Sequence, residues 1–227
     1  MTRIIIIGEG QTEQSFCNDL LAPFFIERGI YLHNTVISKS GGGIVSWASL
    51  KKEVTNYLKQ DTSVIVTTFI DYYGIKEEHG FPKWKDSFSF ANKELRIECL
   101  EQGMFDDIDD KLRHRFIPYI QLHEFEGLLF CQKEAFDFCF EPYEFNDYAY
   151  LLETIQDENP ENINDGKTTA PSKRLERILK GYKKPLYGSM LAQVIGLNVI
   201  RSKCPRFNNW MVKLSDTNKI ASTSVIP

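Results

Sequence analysis

The sequence has no apolar run approaching the ~20 residues that a membrane-spanning helix needs. It has no C-x-x-C pair, and its five cysteines (Cys17, Cys99, Cys131, Cys139, Cys204) are scattered and odd in number. That pattern excludes a disulfide framework and a cysteine-based structural zinc site, and it makes each cysteine a small core hydrophobe in a reducing compartment. A complete phosphate-binding loop is also lacking. Gly166-Lys167-Thr168 resembles the end of one, but the glycine required five residues earlier is Glu161, and no strand is predicted before it. No internal repeat is visible. Met1-Thr2-Arg3 runs into Ile4–Ile7, a stretch too short for a signal-peptide core and without a small-residue cleavage site, so a cytoplasmic protein is expected.

Charge is present in average amount but unevenly placed. The formal net charge is −4. Residues 166–206 hold ten Lys/Arg against one acid, Glu176, which makes that segment +9 and leaves −13 for the rest. Residues 134–165 hold ten acids and no Lys or Arg. A basic segment on an otherwise acidic chain suits a local track for a polyanion such as nucleic acid, and it argues against nonspecific coating. The competing explanation is a solvated helix face together with packing of basic segments against acidic ones.

Hydrophobic patterning divides the chain in two. Arg3–Ile7 is a β-branched run of the kind found in a strand buried on both faces. Gly8-Glu9-Gly10 ends it, and Thr12 is placed to cap a following helix that carries Glu13 in its first turn and runs to about residue 25, where Pro23 bends or ends it. Tyr31–Ser38 reads as a second strand, Gly41–Gly43 as a flexible connection, 44–60 as a helix, and Ser63–Ile70 as a third buried strand ending at Asp71. A loop over 74–89 and a helix over 90–102 precede a fourth strand, Phe116–Leu122, which ends at His123-Glu124-Phe125-Glu126-Gly127. Helices are expected over 128–140, 146–157, 172–181, 186–196 and 205–214, followed by a polar tail. Strand–helix alternation in the first half predicts an α/β fold with a mostly parallel sheet flanked by helices. The expected organisation is an α/β core over 1–130, a basic helical C-terminal region over 131–214 and a flexible tail over 215–227.

Sites in open parallel sheets form beyond the carboxyl ends of the strands. Three predicted strands end there in acids: Glu9, Asp71, and the pair Glu124 and Glu126. Crowded carboxylates repel unless a cation lies among them, and their oxygens are hard ligands that suit Mg²⁺ or Mn²⁺. Such an ion polarises phosphoryl oxygens and acidifies bound water. Glu9 between two glycines serves neither helix nor strand propensity, whereas Glu13 is equally well explained as ordinary first-turn stabilisation. Glu124 and Glu126 diverge if a helix starts at Glu124, and spacing leaves open which is a ligand and which a cap. The candidate catalytic set is Glu9, Asp71, Glu124 and Glu126, and the candidate metal set is Glu9, Glu13, Asp71 and Glu126. His123 is a polar strand-end residue or a phosphate contact, and Tyr72 and Tyr73 either pack or stack on a base.

Lys173, Arg177, Lys180 and Lys184 recur at spacings of four, three and four, which predicts one cationic helix face. With Arg174 they form the candidate nucleic-acid-binding set. Arg201, Lys203 and Arg206 add a second basic group near Phe207 and Trp210. Cations interleaved with aromatics suit a nucleic-acid backbone, and no base-reading motif accompanies them.

Gly8-Glu9-Gly10-Gln11-Thr12-Glu13, Phe69–Gly74, His123–Phe130, Thr169–Leu175, Ile195-Gly196-Leu197 and Cys204–Phe207 together resemble a bacterial and archaeal Toprim-like family of unknown function. The resemblance spans roughly residues 3–214 and implies a Rossmannoid sheet related to Toprim domains of topoisomerases, primases and overcoming-lysogenization-defect nucleases. In those proteins a glutamate after strand 1 serves acid–base chemistry and aspartates after strand 3 bind Mg²⁺. The resemblance therefore gives Glu9 the first role and Asp71 the second, with Glu124 or Glu126 completing the site. The usual Asp-x-Asp pair is Asp71-Tyr72-Tyr73 here, so the second acid is missing. Relatives occur beside AAA/ABC-type ATPases in phage-defence cassettes, which implies such a partner for a chain without its own nucleotide loop. The leading expectation is a Mg²⁺- or Mn²⁺-dependent nuclease. The alternatives are a catalytically degenerate module that binds nucleic acid or a partner ATPase, and a receiver-like phosphoacceptor at Asp71. The last lacks the acidic pair after strand 1 and the lysine after a fifth strand. Homo-oligomerisation is left open.

Overall fold

The computed structural model of the chain describes residues 2–38, 43–156, 159–163 and 166–217. It is a mixed α/β fold built on a parallel sheet of five strands. The elements are β1 (Thr2–Gly8), α1 (Gln11–Phe16), a π-helical turn (Cys17–Leu21), α2 (Ala22–Ile26), β2 (Ile30–Val36), α3 (Trp47–Gln60) and β3 (Ile65–Asp71). They continue with α4 (Trp84–Ser87), α5 (Lys93–Asp107), β4 (Phe116–Ile117), β5 (Ile120–Gln121), a 3-10 segment (Phe125–Cys131), α6 (Lys133–Cys139) and α7 (Tyr148–Ile155). The last four are α8 (Pro171–Ile178), α9 (Lys184–Ile195), α10 (Leu197–Lys203) and α11 (Pro205–Ser215). Among the described residues no helix is long and apolar enough to cross a membrane.

The sheet order is β2-β1-β3-β4, with β5 also pairing with β3, and every pairing is parallel. The chain passes from β1 to β2 on one side, then returns to β3 on the other side of β1. This reversal falls at the carboxyl ends of β1 and β3, the place where open parallel sheets form their crevices, and there Gly8 pairs with Phe69 two residues before Asp71. Alternation along each strand feeds two cores. Ile4, Ile6, Ile65 and Phe69 pack with α1, α2 and the C-terminal helices, whereas Ile5, Ile7, Val66 and Ile70 pack with α3 and α5. The C-terminal helices share the first of these cores directly. Trp210 of α11 stacks on Tyr119 at 4.6 Å and donates its indole N–H to Thr67 Oγ1 at 2.9 Å.

Several expectations are corrected. Helix α1 is capped by Gly10 with no side-chain bond, and Thr12 is buried against α9, where a Cβ on Gly188 would lie 3.1 Å from its methyl. A π-helical turn interrupts that helix before Pro23, and Pro23 itself lies in the first turn of α2, which continues to Ile26. The expected fourth strand is two short ones, because Pro118 has no N–H to continue the ladder. The 74–89 loop contains α4, helix 128–140 begins as the 3-10 segment at Phe125, and α10 was not anticipated. Gly41, Gly42 and residues 218–227 of the expected tail lie outside the described residues.

The basic helix is the main correction. It ends at Ile178, because Leu179 turns extended and bridges to Phe145, and Gly181 takes φ 62°. Lys180 and Lys184 therefore do not share a helix face with Lys173 and Arg177, and Lys184 opens α9 instead.

Candidate functional site

The crevice between β1 and β3 is closed by a relay of hydrogen bonds between strand ends. Glu9 follows β1 directly, and its Oε2 accepts the backbone N–H of Asp71 at 3.1 Å. Asp71 is the last residue of β3, and its Oδ1 accepts the backbone N–H of Phe125 at 2.9 Å. The relay thus joins the ends of β1 and β3 to the start of the 3-10 segment beyond β5. Two glycines lie beside the acids. A Cβ on Gly10 would meet Glu13 Oε2 at 3.2 Å, and one on Gly74 would meet Glu9 Oε1 at 3.6 Å.

Glu13, one helical turn after Glu9, is only 4 % exposed, which separates it from an ordinary solvated first-turn acid. Glu126 is wholly buried; its Oε1 lies 3.0 Å from Lys184 Nζ, and its Oε2 has no hydrogen-bond partner among the described residues. Glu124 has a different task. Its two oxygens accept the N–H and the hydroxyl of Ser172 at 2.9 and 3.1 Å, so it caps α8 from outside the helix. The divergence of Glu124 and Glu126 expected from sequence is resolved in this way: one holds a helix end, and the other is sealed in with a lysine.

Electrostatics unite the rest. Burial pushes the Glu9 carboxyl up to about 7; the Asp71 N–H opposes this and the Glu13 charge adds to it. Burial, then Glu13 and Glu9, hold Asp71 well above the usual carboxylate range, with Lys184 opposing. Glu126 rises to about 7 for the same leading reason, again opposed by Lys184. Burial acts to lower Lys184, but Glu126, Asp71 and Glu13 outweigh it and keep the ammonium above its ordinary value. Among the described residues Lys184 is thus a cation shared by Glu9, Asp71 and Glu126, each of which tends toward its neutral form.

The donor chemistry suits a hard divalent cation. Glu9, Glu13, Asp71 and Glu126 offer only oxygen, their mutual repulsion is the energy a cation would relieve, and Glu126 Oε2 is buried without a partner. The positions are not those of a finished cage: among the described residues no three His, Cys, Asp or Glu side chains are gathered at metal-holding geometry.

The predicted nucleic-acid contacts are engaged within the protein. Lys173 pairs with Glu176, and Arg177 pairs with Asp147 at 2.6 Å and lies over the Tyr150 ring. Arg174 donates to Thr169 O and Thr154 Oγ1, and Lys180 donates to Tyr143 O. Of the second basic group, Arg206 is buried with Glu101 and Arg201 bonds Asn208. Three cations of the +9 segment, Arg177, Lys184 and Arg206, thus pair with acids from outside it, Asp147, Glu126 and Glu101.

Sequence reasoning placed Lys184 on a phosphate track and missed its place among the acids; only the helix start marked by Pro185 hinted that it opens a new element. The Ser172–Glu124 clasp left no sequence signal. A cleft of about 630 Å³ lies elsewhere, between α5, β4 and α11, and none of the strand-end acids line it. Its charged lining is Glu94, Glu98, Glu101, Arg206 and Lys213, of which Arg206 and Glu101 pair with each other.

No curated protein and no solved structure matches this chain. A family model does match, over residues 8–215, a span that contains every acid of the crevice. The chain belongs to the family described as Domain of unknown function (DUF4276).

Proposed function

We propose that this protein is a Mg²⁺- or Mn²⁺-dependent phosphodiester hydrolase of nucleic acid, with the strand-end acids as its active site. The observation that carries the reading is the meeting of Glu9 and Asp71 at the β1/β3 reversal, residues 62 positions apart linked by a 3.1 Å hydrogen bond. Glu13, Asp71 and Glu126 would hold the ion, which supplies Lewis acidity toward the scissile phosphate. Glu9, whose carboxyl titrates near 7, is suited to move a proton to or from an attacking or leaving oxygen near neutral pH. Lys184 keeps Glu126 oriented and adds positive charge beside the developing oxyanion. Glu124 fixes α8 against the site and takes no chemical step.

The effector role beside an AAA/ABC-type ATPase in phage defence belongs to the same reading. Two features support it: the resemblance of the ordered motifs, and a chain in which Gly166-Lys167-Thr168 is not part of a complete nucleotide loop. Plasmid cleavage with Mg²⁺ or Mn²⁺, compared among wild type, Glu9→Gln and Asp71→Asn, tests the chemistry. Loss of at least about 100-fold in both variants supports it, and equal rates in all three reject the assigned site.

One observation favours a second reading, a degenerate module that binds without cleaving. Tyr73 stands where a second aspartate would, and no three-ligand cluster is formed among the described residues. Nucleic-acid binding unaffected by EDTA, with no cleavage even when the partner ATPase is added, would select it.

A further inference from the structure

Tyr73 is the residue of the site edge that the chemistry above leaves unused. The turn Tyr72–Gly74 buries Tyr72 and leaves Tyr73 44 % exposed. Two hydrogen bonds fix that turn: Tyr73 N–H to His123 O, and Ile75 N–H to Tyr72 O, both at 3.0 Å. His123 holds its carbonyl there in a left-handed conformation, φ 65°, which a non-glycine residue rarely adopts. The next residue, Gly74, abuts Glu9: a Cβ there would lie 3.6 Å from Glu9 Oε1. A solvent-facing aromatic side chain on a hydrogen-bonded turn therefore lies beside Gly74, the residue that abuts the proposed acid–base group.

The five residues of the expected basic track each spend their charge or donors within the protein. Lys173 is the readiest to exchange, since its partner Glu176 is an exposed i,i+3 neighbour, and such pairs hold weakly. Its ammonium is raised first by that hydrogen bond, and also by Glu124 and Tyr73. A base stacked on the exposed Tyr73 ring would add affinity that these engaged side chains do not supply.

We propose that Tyr73 is a stacking platform for an unpaired base, so that the site takes single-stranded nucleic acid or a frayed end in preference to duplex. This rests on the phosphodiester reading above and names its substrate class. Stacking tolerates any base, in keeping with the lack of a base-reading motif.

The test is fluorescence anisotropy with the full chain in Ca²⁺, using a fluorescein-labelled ten-nucleotide oligothymidylate, the matching oligouridylate, an abasic oligomer of equal length and a ten-base-pair duplex. The proposal expects single strands of either sugar to bind more tightly than duplex or abasic oligomer, with a shallow salt dependence. Tyr73→Ala should weaken single-strand binding by about five-fold or more, while Tyr73→Trp retains it. Equal binding of the abasic and intact oligomers, or an unchanged affinity in Tyr73→Ala, overturns the proposal. Failure of the parent reading looks different. Base-dependent binding with no Glu9-dependent cleavage in Mn²⁺ rejects the hydrolase and keeps the platform; Glu9-dependent cleavage with KM unmoved in Tyr73→Ala keeps the hydrolase and rejects the platform.

Discussion

Between its ordinary value of 4.5 and about 7, Glu9 keeps a proton in the folded chain that the unfolded chain has lost. Stability from this group is therefore present below about pH 4.5 and disappears as pH rises through 7. In EDTA, Glu9→Gln should melt higher than wild type at about pH 8, by roughly 2 kcal/mol or a few degrees, and equally near pH 4. The amide can still accept the Asp71 N–H, so the gain isolates the charge. A melt in which the variant is less stable at both pH values would contradict the burial account. Lys184 makes the complementary case. Glu126 has no other partner among the described residues, so Lys184→Met should cost about 2 kcal/mol in urea unfolding. Adding Glu126→Gln should return much of that loss, because the uncompensated charge goes with it; a double variant no better than the single would show that packing of the lysine stem, and not charge, was lost.

Elements form where local chemistry and packing agree. Gly103 in α5 gains nothing from its lack of a side chain as a helix residue, yet a Cβ there would lie 2.9 Å from the carbonyl of Pro82. Gly103→Ala should therefore destabilise by about 1–3 kcal/mol despite alanine's helix propensity, as read from chemical denaturation. Stabilisation would mean that the 81–84 turn moves freely. Glu124→Ala removes the clasp on Ser172 and should cost about 1 kcal/mol, with increased amide exchange confined to the start of α8. Legibility varies from element to element. The isoleucines of β1 and the run Val64–Ile70 identified their strands because burial on both faces demands continuous apolar sequence. Pro118 was read through as strand interior, although a missing donor must break a ladder. The cationic spacing over 173–184 was real as a number, but helical phase holds only within one helix, and Leu179 to Gly181 interrupt it.

At the scale of the molecule, one reversal of strand order organises both the core and the site. Sequence could place acids at strand ends, because each follows an apolar run directly. It could not choose among Glu13, Glu124 and Glu126, since the roles of the last two depend on contacts with Ser172 and Lys184, 48 or more positions further along the chain. The C-terminal helices are as much a part of the core as the strands: Phe207 and Trp210 pack against Phe16, Phe69 and Tyr119. A fragment ending at Cys131 would expose that face of the sheet, so it should lack near-ultraviolet dichroism and bind a hydrophobic dye. A native-like, cooperatively melting fragment would show that the α/β part folds alone.

The proposed binding of a cation by the strand-end acids is tested most directly by titrating Mn²⁺ into the full chain by calorimetry at about pH 7.5, with Glu9→Gln, Asp71→Asn and Glu126→Gln alongside. We expect saturable binding by wild type, with the affinity reduced at least about ten-fold in Asp71→Asn and Glu126→Gln, each of which loses an oxygen ligand charge. No binding by wild type, or identical isotherms in all four proteins, would contradict the account.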